Sequence, residues 1–350
     1  MIPWIIPVGG FLGSGKTSLM LDAGRRLRGR GVNIAILTND QADGLVDTVT
    51  ARRQNFDASE VAGACFCCAF TKFVDAAAGL AARGAEVILA EPVGSCTDIA
   101  ATVLAPLLQD FSHAFRLAPY TVLVDASQYA RVHAPEADPE VAWLYGRQIS
   151  EADLLAFSKC DLADPLPELH APALRLSARS GAGVDEWLEE VLSGRTAPGT
   201  RLLGDLDYDR YARAEALLAW LNASVLLRTK KPLSPAQLLG PLVDDLDARL
   251  TRQGAQIAHL KTWIESSQAW LRVSMTHNGQ DPAVEGDRLA SSARDYRVVL
   301  NLRAVGEPGT LRTCVEQALS ALPAATVIER LDCFRPLPPK PERRVTGHSG

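Results

Sequence analysis

Residues 4–18 read "WIIPVGGFLGSGKTS". An apolar run, Trp4–Val8, enters a glycine-rich turn, and an amphipathic stretch over Lys16–Arg30 leaves it. The order predicts a buried strand, a tight loop and a helix. The loop fits G-x-x-x-x-G-K-[ST] with Gly10, Gly15, Lys16 and Thr17. Glycines let backbone N–H groups curl around phosphate oxygens, and the helix N-terminus adds positive potential. Lys16 is expected to reach the β- and γ-phosphates, and the Thr17 hydroxyl to bind Mg²⁺. Gly13, Ser14 and Ser18 complete the nucleotide-binding residues expected from this stretch. A dinucleotide site would need a third glycine after "GSG"; Lys16-Thr17-Ser18 stands there instead.

Working outward, further apolar runs follow at Asn33–Leu37, Glu86–Ala90, Tyr120–Val124, Asp153–Phe157 and Ala173–Leu176. They are continuous rather than alternating, as in parallel strands buried on both faces. Helical patterns lie between most of them. The expected fold is α/β, a P-loop NTPase with a doubly wound, mostly parallel sheet. "SGRTAPGT" (Ser193–Thr200) reads as a linker. Beyond it the strands alternate, at Ser224–Arg228, Ala258–Glu265, Trp270–Thr276 and Arg297–Val305, with a last one at "TVIERLDC". Two helices interrupt them, Pro235–Arg252 and Pro308–Leu322. This order predicts a smaller C-terminal α+β domain of split βαβ type. The expected boundaries are 1–195, 205–335 and a Pro-rich, charged, mobile tail over 336–350.

Net charge is −5, which argues against a nucleic-acid binder held by phosphate contacts. No apolar run reaches the length of a membrane span. The apolar N-terminus lacks a basic flank and reads as the first strand rather than a signal peptide. Seven cysteines, an odd number, favour a reducing cytoplasm, where clustered thiols are more often ligands than disulfides.

Acidic residues close several strands. Asp40 ends "AILTND", Glu91 follows "VILA", and Asp125 ends "TVLVD". Ligands of open α/β sheets bind beyond strand carboxyl ends, so Asp40 and Glu91 are candidates for the Mg²⁺ shell or for orienting water. In "EPVG", Gly94 has the place of a switch glycine whose N–H senses a γ-phosphate. "FSKCDL" puts Lys159 and Asp161 at the spacing of a guanine-binding loop. A carboxylate there accepts both guanine donors, a pair that adenine does not offer, so GTP is favoured over ATP. Ser177 and Ala178 suit a contact to the guanine oxygen.

"ACFCC" crowds Cys65, Cys67 and Cys68 into four positions. Thiolates are soft ligands for Zn²⁺ and related ions. In a strand Cys65 and Cys67 would share a face and Cys68 would oppose them. A common site therefore requires a turn or a helix start. Three ligands leave a position open, which suits a transient cargo. Cys96 reads as an ordinary buried cysteine, with a fourth thiolate as the alternative.

The set "GFLGSGKTS", Asn39-Asp40, Cys65–Cys68, "EPVG", Val124-Asp125 and "SKCD" resembles the SIMIBI-class metal-handling GTPases. Within that class it resembles the CobW-type branch, often labelled cobalamin-synthesis proteins. Ala64, Pro92, Val93 and Ser158 depart from that pattern, and the His-rich tract of some relatives is absent. The resemblance implies a GTPase that couples GTP binding and hydrolysis to delivery of a zinc- or cobalt-class ion. Lys16, Glu91 and Asp40 would form its catalytic apparatus, with GTP and Mg²⁺ as cofactors. The client would be a metalloenzyme or a corrinoid-related protein, with a homodimer as one admissible assembly. The rivals are a small-molecule kinase, which shares the P-loop, and a non-catalytic regulator responsive to nucleotide and metal.

Overall fold

The computed structural model describes residues 2–40, 46–135, 137–162, 166–169, 171–199 and 201–346. Thr200 of the expected linker and residues 347–350 of the expected tail lie outside them. Packing divides the chain into two units: 1–43, 47–214 and 338–350 in the first, 44–46 and 215–337 in the second.

The first unit is built on eight parallel strands. β1 (Trp4–Gly10), β2 (Ile34–Asn39), β3 (Asp57–Val61), β4 (Val87–Ala90), β5 (Arg116–Leu117), β6 (Thr121–Asp125), β7 (Leu154–Ser158) and β8 (Ala173–Arg175) are ordered β3-β2-β4-β1-β6-β7-β8, with β5 also paired to β1. The apolar runs named above all become strands, shifted by a residue or two. β2, β4 and β6 are buried along their whole length, which explains their unbroken apolarity. β3 is a partly exposed edge strand with mixed polarity, so no periodicity marks it.

Helices lie on both faces. Between the strands run α1 (Lys16–Gly29), α2 (Val46–Arg53), α3 (Phe70–Ala82), α4 (Ala105–Phe111), α5 (Ala126–Val132), α6 (Pro139–Ser150), α7 (Val184–Ser193) and α8 (Tyr208–Ala216). Leu19, Met20, Ala23 and Leu27 of α1 and Val184, Trp187, Leu188 and Val191 of α7 share a core with Ile6, Val8, Ile36 and Leu89. The chain steps one way from β1 to β2 and β3, and the other way through β6, β7 and β8. This reversal opens a crevice at the carboxyl end of β1.

The second unit is an antiparallel sheet ordered β12-β11-β10-β13-β9-β14. Its strands are β9 (Leu218–Leu233), β10 (Gln256–Glu265), β11 (Trp270–Met275), β12 (Ala283–Gly286), β13 (Ala293–Val305) and β14 (Ala324–Phe334). β13 pairs antiparallel with both β9 and β10 and separates them, which is the split βαβ arrangement. α9 (Pro235–Arg252) and α10 (Pro308–Ser320) cover one face. Leu238, Leu242, Leu246 and Leu250 of α9 are fully buried there beside Leu221, Val225 and Leu300. Ser234 opens α9 with a capping box to Gln237.

Candidate functional site

The crevice at β1 is lined by the strand ends that the sequence singled out. The loop after β1 is held in left-handed backbone at Gly10, Gly13 and Gly15. Gly10 has no room for a side chain either, since a Cβ would lie 2.5 Å from the Leu123 carbonyl oxygen and 2.7 Å from Ser14 Oγ. Ser14 Oγ is buried without a hydrogen-bond partner. An orphaned hydroxyl in a loop of turned-in backbone fits an anion with oxygen acceptors. Ser18 is half-buried on α1.

Lys16 is buried, and its Nζ donates to the carbonyls of Gly10 at 2.8 Å and Phe11 at 3.1 Å. It also lies 3.8 Å from Glu91 Oε1. Thr17 Oγ1 is 2.8 Å from Glu91 Oε2 and 2.9 Å from Asp47 Oδ1. A hydroxyl has one proton, so only one carboxylate at a time accepts from it. Two buried carboxylates around one hydroxyl form an oxygen-rich corner suited to Mg²⁺. Asp47 was not legible in the sequence: it is an isolated acid in the first turn of the short helix α2. Asp40 is buried just beyond β2, with its N–H bonded to the Val61 carbonyl. Gly94 passes directly against this corner. A Cβ there would sit 2.9 Å from Leu12 Cδ2 and 3.1 Å from Lys16 Nζ, so a larger residue would press on both side chains.

The base-loop residues divide into two groups. Asp161 is exposed, and its Oδ1 accepts from Ser177 Oγ at 2.6 Å, so the two motifs after β7 and β8 meet. Ala178 packs beside the core at the same place. Lys159 has left-handed backbone and its Nζ donates to Asp125 Oδ2 at 2.8 Å. Burial works to raise the Asp125 carboxyl, but the Lys159 ammonium outweighs it, and donors from Ser127 and Gln128 help hold it below the usual range. Ser158 is buried close to Gly15, and its Oγ has no partner.

The cysteines form a second cluster. Their segment joins β3 to α3 through a turn in which the N–H groups of Cys68 and Ala69 donate to the Cys65 carbonyl at 3.0 and 2.9 Å. The turn brings all three Sγ atoms within 4.8 Å of one another. Cys65 and Cys67 are buried and Cys68 is half-buried. Sγ–Sγ distances are 2.6 Å for Cys65 to Cys67 and 3.8 Å for Cys67 to Cys68. Four sulfurs around a tetrahedral Zn²⁺ at about 2.3 Å stand about 3.8 Å apart. The second distance already matches that edge, and the first needs to open by about 1 Å. Three soft donors at this spacing fit a zinc-class ion. S–H donation from Cys67, Cys68 and Cys96 pulls the Cys65 thiol well below its usual range, while the same sharing and burial push Cys67 up. Interaction with Cys65 lifts Cys68 to about 11.

Asn39 holds this loop. From the end of β2 its Nδ2 donates to the Val61 and Ala64 carbonyls, both at 2.8 Å, and its Oδ1 accepts from the Phe66 N–H at 2.7 Å. The C-terminal stretch, expected to be mobile, also packs here over 338–346. The Lys340 N–H donates to Cys68 Sγ at 3.1 Å and the Glu342 N–H to the Cys67 carbonyl at 3.0 Å. Ala69 offers α3 no side-chain cap, and Glu342 Oε2 supplies one by accepting from Thr71 N and Oγ1, both at 2.9 Å. Proline and charge in the tail gave no hint of this, because a remote partner decides it.

Fold and site together define a P-loop nucleotide-binding protein with a thiol cluster in the same unit. The model of the CobW/HypB/UreG nucleotide-binding domain matches residues 4–179, and the chain belongs to that family of metal-handling GTPases. Among solved structures it is similar to HypB from Helicobacter pylori in complex with nickel, with 14% identity and a TM-score of 0.42, over 56% of this chain and 90% of that one. The hydrogenase maturation factor HypB from Archaeoglobus fulgidus gives 19% identity and a TM-score of 0.37, over 53% and 87%. Zn(II)-bound YjiA GTPase from E. coli gives 14% and 0.30, over 91% and 99%. No curated protein matches the sequence. Among the described residues no helix is long and apolar enough to cross a membrane.

Proposed function

We propose that this protein is a GTPase that uses GTP binding and hydrolysis to control the uptake and delivery of a zinc- or cobalt-class divalent ion. The client would be a metalloenzyme or a corrinoid-related protein of the cytoplasm. The carrying observation is the convergence of Cys65, Cys67 and Cys68 within 4.8 Å of one another in a P-loop unit. The ion is cargo rather than a resident cofactor.

Each residue then has a task. Lys16 compensates phosphate charge, while the P-loop backbone and Ser14 hold phosphate oxygens. Mg²⁺, when bound, neutralises charge that develops on the phosphates. Thr17, Glu91 and Asp47 would hold it, with Asp40 as a further acid at the crevice. Glu91 fits the Mg²⁺ shell better than a general base, because it already faces the Thr17 hydroxyl and the Lys16 ammonium. Asp161, oriented by Ser177, reads guanine.

Asn39 offers a route for coupling. It clamps the cysteine loop, and the residue after it, Asp40, stands at the nucleotide crevice. If nucleotide state moves the end of β2, the thiols move with it. Linkage then requires GTP and the ion to raise each other's affinity by one factor, about 5- to 150-fold for a coupling of roughly 1–3 kcal/mol. The test is anaerobic metal titration with GDP, and then with a non-hydrolysable GTP analogue and Mg²⁺. Higher metal affinity with the analogue is expected. Equal affinities would leave two unconnected sites and overturn the proposal.

A further inference from the structure

The stretch over 338–346 belongs to the first unit and lies across the thiol cluster. It is neither helix nor strand, yet its backbone donors are directed onto that unit. The Lys340 N–H donates to Cys68 Sγ at 3.1 Å, the Glu342 N–H to the Cys67 carbonyl at 3.0 Å and the Val345 N–H to the Ala101 carbonyl at 2.9 Å. Pro339 and Pro341 alternate with the two donors at the cluster. In extended chain, alternate N–H groups point the same way, so the prolines fall where an N–H would point away from the thiols, and no bond is lost. Their fixed backbone also lowers the entropy that the segment gives up on docking.

Two arginines follow, and they are not equivalent. Arg343 pairs with Asp110 of α4 and lies over the Phe70 ring, 5.3 Å from its centre. Both members of that pair are about half exposed, so water screens it and it contributes little. Arg344 Nε donates to Asp98 Oδ2 at 2.7 Å, and its Nη2 to the Gly204 carbonyl at 2.6 Å. The Asp98 side chain is only 2% exposed. The Tyr208 hydroxyl donates to the same oxygen at 2.7 Å. A charge-assisted bond to a buried carboxylate is one of the strong ones. Asp98 has left-handed backbone, with φ +63°, which is uncommon for a residue with a side chain. The chain on either side is tied down, since the Thr97 hydroxyl and the Ala100 N–H donate to Glu151 at 2.9 and 3.2 Å. Arg344 therefore meets a partner held in place.

We propose that residues 338–346 are a strap that closes the thiol cluster, latched by Arg344 on Asp98, and that an ion enters or leaves only when the strap lifts. Its role as a gate for the ion rests on the metal-handling reading above. Cys68, the half-buried thiol, is the one the strap touches through sulfur, so it is the thiol that release uncovers. The latch sits on the loop after β4, seven residues beyond Glu91.

The experiment uses the full-length chain, reduced and metal-free. Iodoacetamide alkylation of Cys68 is followed by mass spectrometry. Arg344→Ala should be alkylated roughly 10- to 100-fold faster than wild type, the ratio that one charge-assisted bond sets between closed and open states. Losing an N–H donor to sulfur makes a thiol less acidic and slower to react, so faster alkylation reads access. Arg344→Lys keeps a cation for Asp98 and should recover part of the protection. Arg312→Ala, in the other unit, should keep the wild-type rate. In the wild-type chain, trypsin should cut after Arg343 and Arg344 roughly tenfold or more slowly than in a free peptide of residues 336–350, because cleavage waits on local opening. Equal cleavage of the two would overturn the strap without any variant, so misfolding of Arg344→Ala cannot rescue it. Equal alkylation of wild type and Arg344→Ala would overturn it as well. Neither measurement needs an ion, so both decide the strap whether or not the metal reading holds. With one equivalent of Zn²⁺ loaded, a chelator should strip Arg344→Ala faster than wild type by a similar factor, and unchanged release would overturn the strap as a gate for the ion.

Discussion

The phosphate corner and the thiol cluster share one unit and are built in different ways. The phosphate cradle comes from a single run of chain. Gly10 to Thr17 form it almost alone, with backbone N–H groups and one lysine, and Glu91 and Asp47 complete its rim. The thiol cluster has contiguous cysteines but borrowed supports. Asn39 and the chain end at Lys340 and Glu342 come from elsewhere. A cradle made of backbone survives most changes at a distance. A cluster made of soft side chains depends on whatever orients them and on their protonation. The two sites should therefore fail under different insults.

Acid should separate them most. Metal binding must strip protons from Cys67 and Cys68, both of which are held protonated in the metal-free chain, Cys68 up to about 11. Each proton released costs a factor of ten per pH unit, so these two thiols alone should lower metal affinity roughly a hundredfold for each unit of acidification near neutrality. Nucleotide affinity should change little over the same unit. Parallel titrations of metal and GDP at two pH values check this, and a metal affinity insensitive to pH would remove the thiols as ligands.

Lys16→Ala is the reverse insult. It removes the buried ammonium that faces the phosphate cradle and here rests on the Gly10 and Phe11 carbonyls. At about 1.5–3 kcal/mol for each charge-assisted bond that this ammonium would make to phosphate oxygens, nucleotide affinity should drop a hundredfold or more. Zinc binding without nucleotide should persist. Calorimetry with each ligand reads both, and loss of zinc binding as well would erase the distinction between the sites.

Asn39→Ala should weaken metal binding by roughly 10- to 100-fold, the usual cost of losing an orienting partner. GDP affinity should move only a few-fold. Asn39→Asp keeps an acceptor for the Phe66 N–H and should recover part of the loss. If alanine and aspartate behave alike, the clamp has no orienting role.

Asp161→Asn sharpens the nucleotide side. It should weaken GTP by about tenfold and improve xanthosine triphosphate, whose base presents an acceptor where guanine has a donor. Competition binding checks it; equal wild-type affinity for ATP and GTP would sink the guanine assignment. The smallest effect is expected from Lys340→Pro. It deletes one N–H···S bond of about 0.5–1.5 kcal/mol, so zinc should leave two- to tenfold faster in a chelator chase, with nucleotide release unchanged.

Much of this was legible from local pattern. Gly10, Lys16 and Thr17 sit where the motif puts them, because a glycine-rich strand-to-helix turn has few foldings. The helix over Pro235–Arg252 has the bounds expected from its leucine stripe, and the Ser234 cap closes its start. The pattern gives Ser224–Arg228 where β9 runs over Leu218–Leu233, since its first six residues are buried without alternation and its far end carries the polar Thr229, Lys230 and Lys231. The edge strand β3 left no signal for the same reason. The demand for a turn at Cys65–Cys68 followed from strand geometry alone, and the turn is there.

What the sequence determined by itself was whatever depends on neighbours along the chain: the P-loop, the buried parallel strands, the order of motifs and the crowding of three thiols. What only the tertiary structure decided was which remote groups meet them. Asp47 reaches Thr17 across 30 positions, Asn39 clamps a loop 25 residues on, and Lys340 reaches Cys68 across 272. Such contacts leave no periodicity, because a single hydrogen bond needs one residue of the right kind, and its position in space is set by the packing of the whole unit.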